Sequence, residues 1–374
     1  MRLIAILLAT PFLTASIVSA QLMYVGTYTG GDTKGIYAYR FDPHTGKLAP
    51  LGLMAETPNP TFLALSPSGK YLYAVNEINE FEGKKAGSLT AYSVDRSNGK
   101  LTLLNQVSTG GPGPCAVTVD KTGKVVFVAN YAGGSFASYP IGSDGKVGAM
   151  ASFIQDKGSS IDKSRQEGPH AHSVVVSPDN KFLLGADLGL DHVRVFRIDV
   201  STGKISPNNP PFATVKAGSG PRHLVFAPDG KHVYVVSEMG EIVTTFAWDA
   251  SRGALTAIDE VSALPADFHG NSTSAEIQID AHGRHVYSSN RGHDSISVFN
   301  VDPKSGKLTL VQTEGTQGKT PRFFCLDPSG RYLLAGNQDT NTITTFRVDP
   351  NSGKLTPTGD KYELGKPVCF VFVK

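Results

Sequence analysis

The sequence predicts an all-β fold, a seven-bladed β-propeller of four-stranded blades. Three observations predict it: one turn motif occurs seven times at intervals of about fifty residues, a second turn motif falls between most of its copies, and the two chain ends hold complementary parts of one unit. Four short strands in a repeat of this length are typical of a propeller blade. No long helical period interrupts the pattern.

The first turn motif reads [VFIW]-D-x-x-x-G-[KA]-[LI] in six copies, and IGSDGKV at 141–147 is a shortened seventh. The glycines of successive copies are 53, 46, 58, 50, 53 and 47 residues apart. An acidic residue followed by glycine suits a tight connection between two strands. The six full copies are FDPHTGKL (41–48), VDRSNGKL (94–101), IDVSTGKI (198–205), WDASRGAL (248–255), VDPKSGKL (301–308) and VDPNSGKL (348–355).

The second turn motif joins two short apolar runs, as in FLALSPSGKYLYAVN. Alternating apolar residues around a Gly- or Asn-containing turn predict a β-hairpin. This hairpin supplies the first two strands of each blade, and the first motif connects the third strand to the fourth. The six copies are SPSGK (66–70), DKTGK (120–124), SPDNK (177–181), APDGK (227–231), DAHGR (280–284) and DPSGR (327–331).

The chain ends account for the missing seventh hairpin. The N-terminal part begins directly with a second strand at 22–26, and the chain stops after a lone first strand at 367–372. Pairing these two strands would complete a blade, close the ring and remove an exposed sheet edge. We therefore expect residues 21–374 to form a single propeller domain.

The first twenty residues have the pattern of a signal peptide. Arg2 supplies a positive charge, residues 3–8 begin an apolar stretch, and Val18-Ser19-Ala20 is a small-residue cleavage site. A membrane anchor is the alternative, but the stretch is short and contains several polar residues. We expect residues 1–20 to be removed and the mature chain to be exported, to the periplasm or the exterior, without membrane attachment.

The net charge and composition limit which classes of molecule the protein could bind. The net charge is only +2 and no basic run is present, which argues against nucleic acid as a partner.

The three cysteines, Cys115, Cys325 and Cys369, lie in apolar runs. A nucleophile or a disulfide is conceivable for them, but buried small side chains fit the pattern better. We expect a monomer.

Candidate site residues lie where first strands start and second strands end, because these positions meet at one mouth of the propeller channel. His and Arg residues concentrate there in the third to sixth units. His170 and His172 resemble a zinc-binding pair, yet no third imidazole or thiol has suitable spacing, and ligation by Glu238 or Asp187 would be mixed. We therefore predict no metal and no cofactor. Structural alternatives are blade-to-blade ion pairs for the arginines and turn capping for the asparagines that end second strands.

At these positions the sequence resembles the seven-bladed propeller lactonases, which include bacterial 6-phosphogluconolactonases of the propeller type and the fungal 3-carboxymuconate lactonising enzyme. The segments GPHAHSVVVSPD (168–179), GPRHLVFAPDGKHVYVVSE (220–238) and SNRGHDSISVF (289–299) carry the resemblance, which spans the mature chain. It implies a propeller fold and a site at one end of the channel. The implied catalytic residues are His172, Arg222, Glu238 and Arg291, and the expected substrate contacts are His170, His223, His293 and Arg322.

These residue types suit hydrolysis of a small acidic or sugar lactone. Glu238 or His172 could take a proton from water, and the arginines could hold an anionic group or offset charge on the carbonyl oxygen. The sequence lacks a G-x-S-x-G nucleophile elbow, which disfavours a covalent serine mechanism. Two alternatives remain open: a muconate-type cycloisomerase, and an exported propeller that binds a partner without catalysis. Export also leaves open whether the lactone is phosphorylated.

Overall fold

The computed structural model describes residues 20–373, which form 28 strands in seven four-stranded antiparallel sheets. The predicted all-β propeller is confirmed. The predicted signal peptide, apart from Ala20, lies outside the described residues. Within the described part of the chain, no helix is long and apolar enough to cross a membrane.

The strands follow the predicted blade pattern, with the first strand of each blade innermost. The first sheet holds β1 (Gln21–Thr27), β2 (Gly35–Phe41) and β3 (Leu48–Glu56); the second holds β4 (Phe62–Leu65), β5 (Tyr71–Asn76), β6 (Ser88–Val94) and β7 (Leu101–Ser108); the third holds β8 (Pro114–Val119), β9 (Val125–Asn130), β10 (Ser135–Pro140) and β11 (Ser152–Gln155). The fourth holds β12 (Ala171–Val176), β13 (Phe182–Asp187), β14 (His192–Asp199) and β15 (Lys204–Thr214); the fifth holds β16 (Pro221–Phe226), β17 (His232–Ser237), β18 (Ile242–Asp249) and β19 (Ala254–Ser262). The sixth holds β20 (Thr273–Ile279), β21 (His285–Arg291), β22 (Ser295–Val301) and β23 (Leu308–Gly315); the seventh holds β24 (Pro321–Leu326), β25 (Tyr332–Asn337), β26 (Thr342–Val348) and β27 (Leu355–Glu363), and β28 (Pro367–Phe372) returns to the first sheet.

The ring closes through the two chain ends, as predicted. Strand β28 pairs antiparallel with β1, with Phe372 opposite Met23 and Phe370 opposite Val25. The innermost strands also contact one another in order around the ring, from β28 and β4 through to β24 and β28. Each innermost strand therefore has another innermost strand beside it on both sides.

Burial is highest in the second strand of each blade and lowest in the outermost strand. Strand β9 is buried throughout, whereas the outer strand β3 is mostly exposed after its first residue. Apolar side chains from adjacent sheets pack between the blades; Trp248, for example, lies edge-on against Phe182 of the preceding blade at 5.5 Å. All three cysteines are free and buried, as expected for small apolar side chains.

In several blades, a tyrosine hydroxyl donates a hydrogen bond to a backbone carbonyl of the next blade. The hydroxyl of Tyr234 on β17 donates to the carbonyl of Gly306 in the following blade, at 3.0 Å. Gly306 adopts a φ of 71°, and a Cβ there would clash with the His232 ring, so the turn requires glycine. Equivalent bonds join Tyr24 to Gly99, Tyr73 to Gly145 and Tyr287 to Gly353.

Candidate active site

β-Bulges at the starts of the innermost strands turn side chains into the channel. The ladder of the fifth blade, for example, pairs Pro221 with Ser237 and then His223 with Val236, which leaves Arg222 out of register. A bulge adds one unpaired residue and re-aims its side chain. The bulged residues of the third to seventh blades are Cys115, His172, Arg222, Ala275 with Glu276, and Arg322.

A second set of side chains comes from the ends of the second strands. Asn76, Asn130, Asn290 and Asn337 donate to backbone carbonyls near these strand ends, as expected for capping residues. The position that follows the capping residue then reaches toward the channel. In the first, second, third, fifth and sixth blades this position holds Tyr28, Glu77, Tyr131, Glu238 and Arg291.

These two sets surround a cavity of about 370 Å³, the central cavity, at one end of the channel. A sugar-sized molecule fits a volume of this order. The structure thus brings His172, Glu238, Arg291 and Arg322 to one space, with Arg222 directly beneath. The lining residues are Glu77, Cys115, Tyr131, Arg165, His172, Glu238, Thr273, Arg291 and Arg322.

The carboxylate of Glu238 contacts three arginine side chains in the cavity wall. Its Oε2 accepts a 2.9 Å hydrogen bond from Nε of Arg222 and lies 3.0 Å from a guanidinium nitrogen of Arg291. Its Oε1 accepts a 2.6 Å hydrogen bond from Arg165. One carboxylate is therefore shared by three guanidiniums from three different blades or connectors.

These guanidiniums control the ionisation of Glu238. Burial opposes the charged carboxylate and would raise the pKa, but Arg291, Arg222 and Arg165 outweigh it and lower the pKa to about 2. Glu238 is therefore fully ionised at neutral pH. While all three cations hold it, it is a poor proton acceptor.

His172 lies beside Glu238 on the cavity floor, with Nε2 4.0 Å from Glu238 Oε2. Its Nδ1 is 3.8 Å from Cys115 Sγ, whose thiol also approaches the carbonyl of His172 at 3.3 Å. Burial, followed by the charge of Arg222, lowers the pKa of His172 well below its ordinary value. The imidazole is therefore neutral, and burial likewise raises the pKa of the Cys115 thiol and keeps it protonated.

Another part of the cavity wall is built around Arg322. Its guanidinium donates to the hydroxyl of Tyr28 at 3.0 Å and lies over the Tyr28 ring at 5.3 Å. The same hydroxyl donates to both carboxylate oxygens of Glu77, at 2.8 and 2.9 Å, and Thr61 donates to Glu77 at 2.7 Å. This chain of hydrogen bonds fixes Arg322 in the cavity wall.

A small chamber continues beneath the central cavity and holds His223. His223 Nδ1 lies 2.8 Å from Glu276 Oε2, while its buried Nε2 has no partner among the described residues. The chamber measures about 10 Å³, close to the room one water needs. Burial lowers the pKa of His223 despite the opposing charge of Glu276. His223 thus lies below the cavity floor.

The two remaining predicted contacts lie beyond the cavity lining. His170 stacks on Tyr131 at 4.6 Å and so supports a lining residue from behind. His293 packs edge-on against Phe268 and contacts Ser295 at 2.7 Å. Within residues 20–373, no three His, Cys, Asp or Glu side chains converge in a metal-binding arrangement.

Sequence reasoning missed several lining residues, and Arg165 is the most important. Glu77 and Tyr131 follow second strands, so the repeat marked their positions. Arg165 instead lies in the connector between the third and fourth blades and has no counterpart in the other units. The one available signal is the spacing of 58 residues between the turn glycines Gly145 and Gly203, the longest in the chain.

Comparison with known proteins gives consistent results. The family model described as lactonase, 7-bladed beta-propeller, matches residues 22–372. The chain is 35% identical to the 6-phosphogluconolactonase of Bacillus subtilis over 80% of its length and 83% of that protein, and 35% identical to that of Formosa agariphila over 81% and 86%. The solved structure of the periplasmic gluconolactonase of Pseudomonas aeruginosa is 34% identical, with a TM-score of 0.88 over 95% of this chain and 99% of that one.

Proposed function

The chain belongs to the seven-bladed β-propeller lactonase family, and we propose that it hydrolyses a small anionic lactone in the central cavity. The observation that carries this proposal is the excess of guanidiniums over carboxylates around the central cavity. Arg165, Arg222, Arg291 and Arg322 surround the cavity and the chamber below it, against the carboxylates of Glu77 and Glu238. His172 adds no charge because its pKa is lowered.

An excess of guanidiniums favours a substrate that carries negative charge. Arginine binds carboxylate or phosphate through paired hydrogen bonds and remains charged even where it is buried. The guanidiniums also lie at different places in the wall, because Arg291 is paired with Glu238 whereas Arg322 is held by Tyr28. A substrate anion and a developing oxyanion would each find a cation.

The reaction needs no group beyond these side chains and water. Glu238 accepts a proton from a water held beside His172, and the water oxygen bonds to the lactone carbonyl carbon. A guanidinium offsets the negative charge on the carbonyl oxygen, which is usually the largest contribution in such reactions. The ring C–O bond then breaks, and the ring oxygen takes the proton from Glu238, which gives the open hydroxy acid.

The names of the relatives and the N-terminal sequence both bear on which class of lactone is the substrate. The relatives are named for 6-phosphogluconolactone and gluconolactone, so a sugar lactone is the leading class. The signal-peptide pattern at the N-terminus supports export, where unphosphorylated sugar lactones are the more accessible compounds. We therefore place anionic lactones first, whether they carry a phosphate or a carboxylate, and include neutral sugar lactones in the test because hydrolysis of these alone would contradict the argument from charge.

The test is proton release from a panel of sugar and aromatic-acid lactones, measured with and without a chelator. We expect at least one lactone to open far faster than in buffer, with no loss on chelation. Muconates are supplied in parallel and followed by ultraviolet absorbance, which detects cycloisomerisation. If no lactone opens faster than in buffer, the proposal is wrong.

A further inference from the structure

We propose that Arg165 is the cation that the substrate anion draws away from Glu238, so that substrate binding itself frees Glu238 to accept a proton. This inference rests on the proposed function, because it concerns how Glu238 becomes a base. It assigns Arg165 a direct contact with the substrate.

The two oxygens of Glu238 are held differently. Oε2 is shared by Arg222 and Arg291, whose side chains are 2% and 14% exposed. Among the described residues, Arg165 is the one group that hydrogen-bonds Oε1, and its side chain is 39% exposed. The oxygen with a single partner is therefore paired with the most exposed of the three guanidiniums, the one that an incoming anion reaches most easily.

The three guanidiniums also differ in how firmly they are fixed. Arg222 donates to the carbonyl of Ala275 at 2.8 Å, and Arg291 donates to the carbonyl of Ser274 at 3.2 Å. Arg165 has one further contact, a long one of 3.4 Å to the Tyr131 hydroxyl. Moving Arg165 from Glu238 to an anion thus breaks one strong bond and forms another of the same kind.

The backbone beside Arg165 is well anchored, so the exchange needs side-chain rotation alone. Gln166 is fully buried, and its amide donates to the carbonyl of Leu188 at 2.9 Å. Asp162 accepts backbone hydrogen bonds from Ser164 and Arg165 and so caps the turn. Rotation of an exposed side chain is fast compared with enzyme turnover.

Departure of Arg165 changes the basicity of Glu238 in the required direction. An opposite charge within about 4–6 Å lowers a carboxyl pKa by roughly 1–3 pH units. The other charged or titratable groups facing Glu238 are Arg222, Arg291, His172 and, farther away, Arg322. Arg222 and Arg291 stay in place and hold the carboxylate in position while Oε1 becomes free to accept a proton from water.

The test follows the Glu238 carboxyl carbon by NMR as a function of pH, in the free protein and in the protein saturated with sulfate. Sulfate serves as the anionic probe, and Glu238→Gln assigns the signal. We compare the wild type with Arg165→Gln and with Lys163→Gln, which removes an exposed positive charge from the same connector. Because this experiment needs no turnover, its outcome is independent of whether a lactone is hydrolysed.

If the exchange occurs, Arg165→Gln raises the Glu238 pKa by about 1 pH unit or more in the free protein but leaves it unchanged in the sulfate-bound protein. It also weakens sulfate binding by about tenfold, and Lys163→Gln does neither. An equal rise in both states would mean that Arg165 stays on Glu238, and no rise in either would mean that it never held it. Either result, or failure of sulfate to bind the wild type, overturns the proposal.

Discussion

Arg222 Nε donates a 2.9 Å hydrogen bond to Glu238 Oε2, and the two residues belong to the two strands of one hairpin. Arg222 is the bulged residue at the start of β16, and Glu238 follows the last residue of β17. The same relationship between strand start and strand end recurs around the ring. The central cavity is therefore the place where equivalent positions of several blades meet.

Because Glu238 is ion-paired, we expect it to stabilise the folded protein less in acid than at neutral pH. Glu238→Gln should remove this dependence of stability on pH. The folded pKa of Glu238 is about 2, below its ordinary value of 4.5. Ionised Glu238 therefore stabilises the fold above the ordinary value, and this contribution is lost as the pH falls toward about 2. We expect the variant to be less stable by about 3 kcal/mol at neutral pH and the difference to vanish near the folded pKa.

Urea unfolding at neutral pH and in acid measures this difference. Glu80→Gln, which removes an exposed carboxylate, is the matched control and should behave as the wild type throughout. A stability difference for Glu238→Gln that stays constant with pH would contradict the ion-pair account.

The neutral imidazole of His172 predicts a second acid effect. Because its folded pKa lies below the ordinary value of 6.5, the unfolded chain takes up a proton that the folded protein does not, and stability falls as the pH drops below about 6.5. His172→Gln should reduce this slope by up to about 1.4 kcal/mol per pH unit. His269→Gln, at an exposed site, should leave the slope unchanged. An NMR titration of His172 near its ordinary pKa would refute this.

The repeat predicts that Asp187→Asn stabilises the protein. Asp187 occupies the position that holds Asn in four other blades, and burial, followed by the nearby Asp156, raises its pKa well above the ordinary value. Because the folded pKa is raised, wild-type stability falls as the pH rises from the ordinary value through the folded pKa. Asn keeps an acceptor for the His170 amide, now bound at 2.8 Å, and offers a donor to Asp156.

We expect a gain of about 1–3 kcal/mol at mildly alkaline pH that disappears in acid, measured by thermal and urea unfolding. Asp32→Asn, an exposed replacement, is the control. A loss of stability at alkaline pH would show that the Asp187 carboxyl is needed in its charged form.

The tyrosine contacts predict that Tyr234→Phe loosens the joint between the fifth and sixth blades. The substitution removes the hydroxyl that bonds the buried Gly306 carbonyl at 3.0 Å. A lost bond of this kind costs about 1–2 kcal/mol because the acceptor stays buried. The unfolding free energy measures the cost, and Tyr37→Phe, whose hydroxyl makes solvent-exposed hydrogen bonds to the backbone of Lys34 and Asp32, should cost less. Equal effects would mean that the blade-to-blade bond contributes nothing specific.

Most of the fold was predictable because the repeat marks each turn, and the ring closure followed from the chain ends. The convergence of His172 with Glu238 and Arg291 was predictable for the same reason, since the start of a first strand and the ends of second strands meet at one mouth of the channel. The β-bulges at the strand starts could not be predicted from the sequence. Regular alternation would put Arg222 and His223 on opposite faces of β16, whereas the bulge lets both reach the lower chamber.

Residues outside the repeat could not be placed from the sequence. Arg165 reaches Glu238 from a connector without a counterpart, so no register predicts its position. His293 fails for the converse reason: it follows Gly292, which has a φ of 99° and turns the chain so that His293 packs on Phe268. Proximity in sequence to Arg291 was therefore misleading for its neighbour.

The most direct test of the central claim is lactone hydrolysis by the wild type, Glu238→Gln and Glu80→Gln, on the lactone that the wild type opens fastest. Loss of a positioned proton acceptor lowers turnover by about 10²–10⁴-fold. We expect a kcat loss of this size for Glu238→Gln, with substrate binding retained and Glu80→Gln unchanged. A folded Glu238→Gln protein that hydrolyses the lactone at the wild-type rate would contradict it.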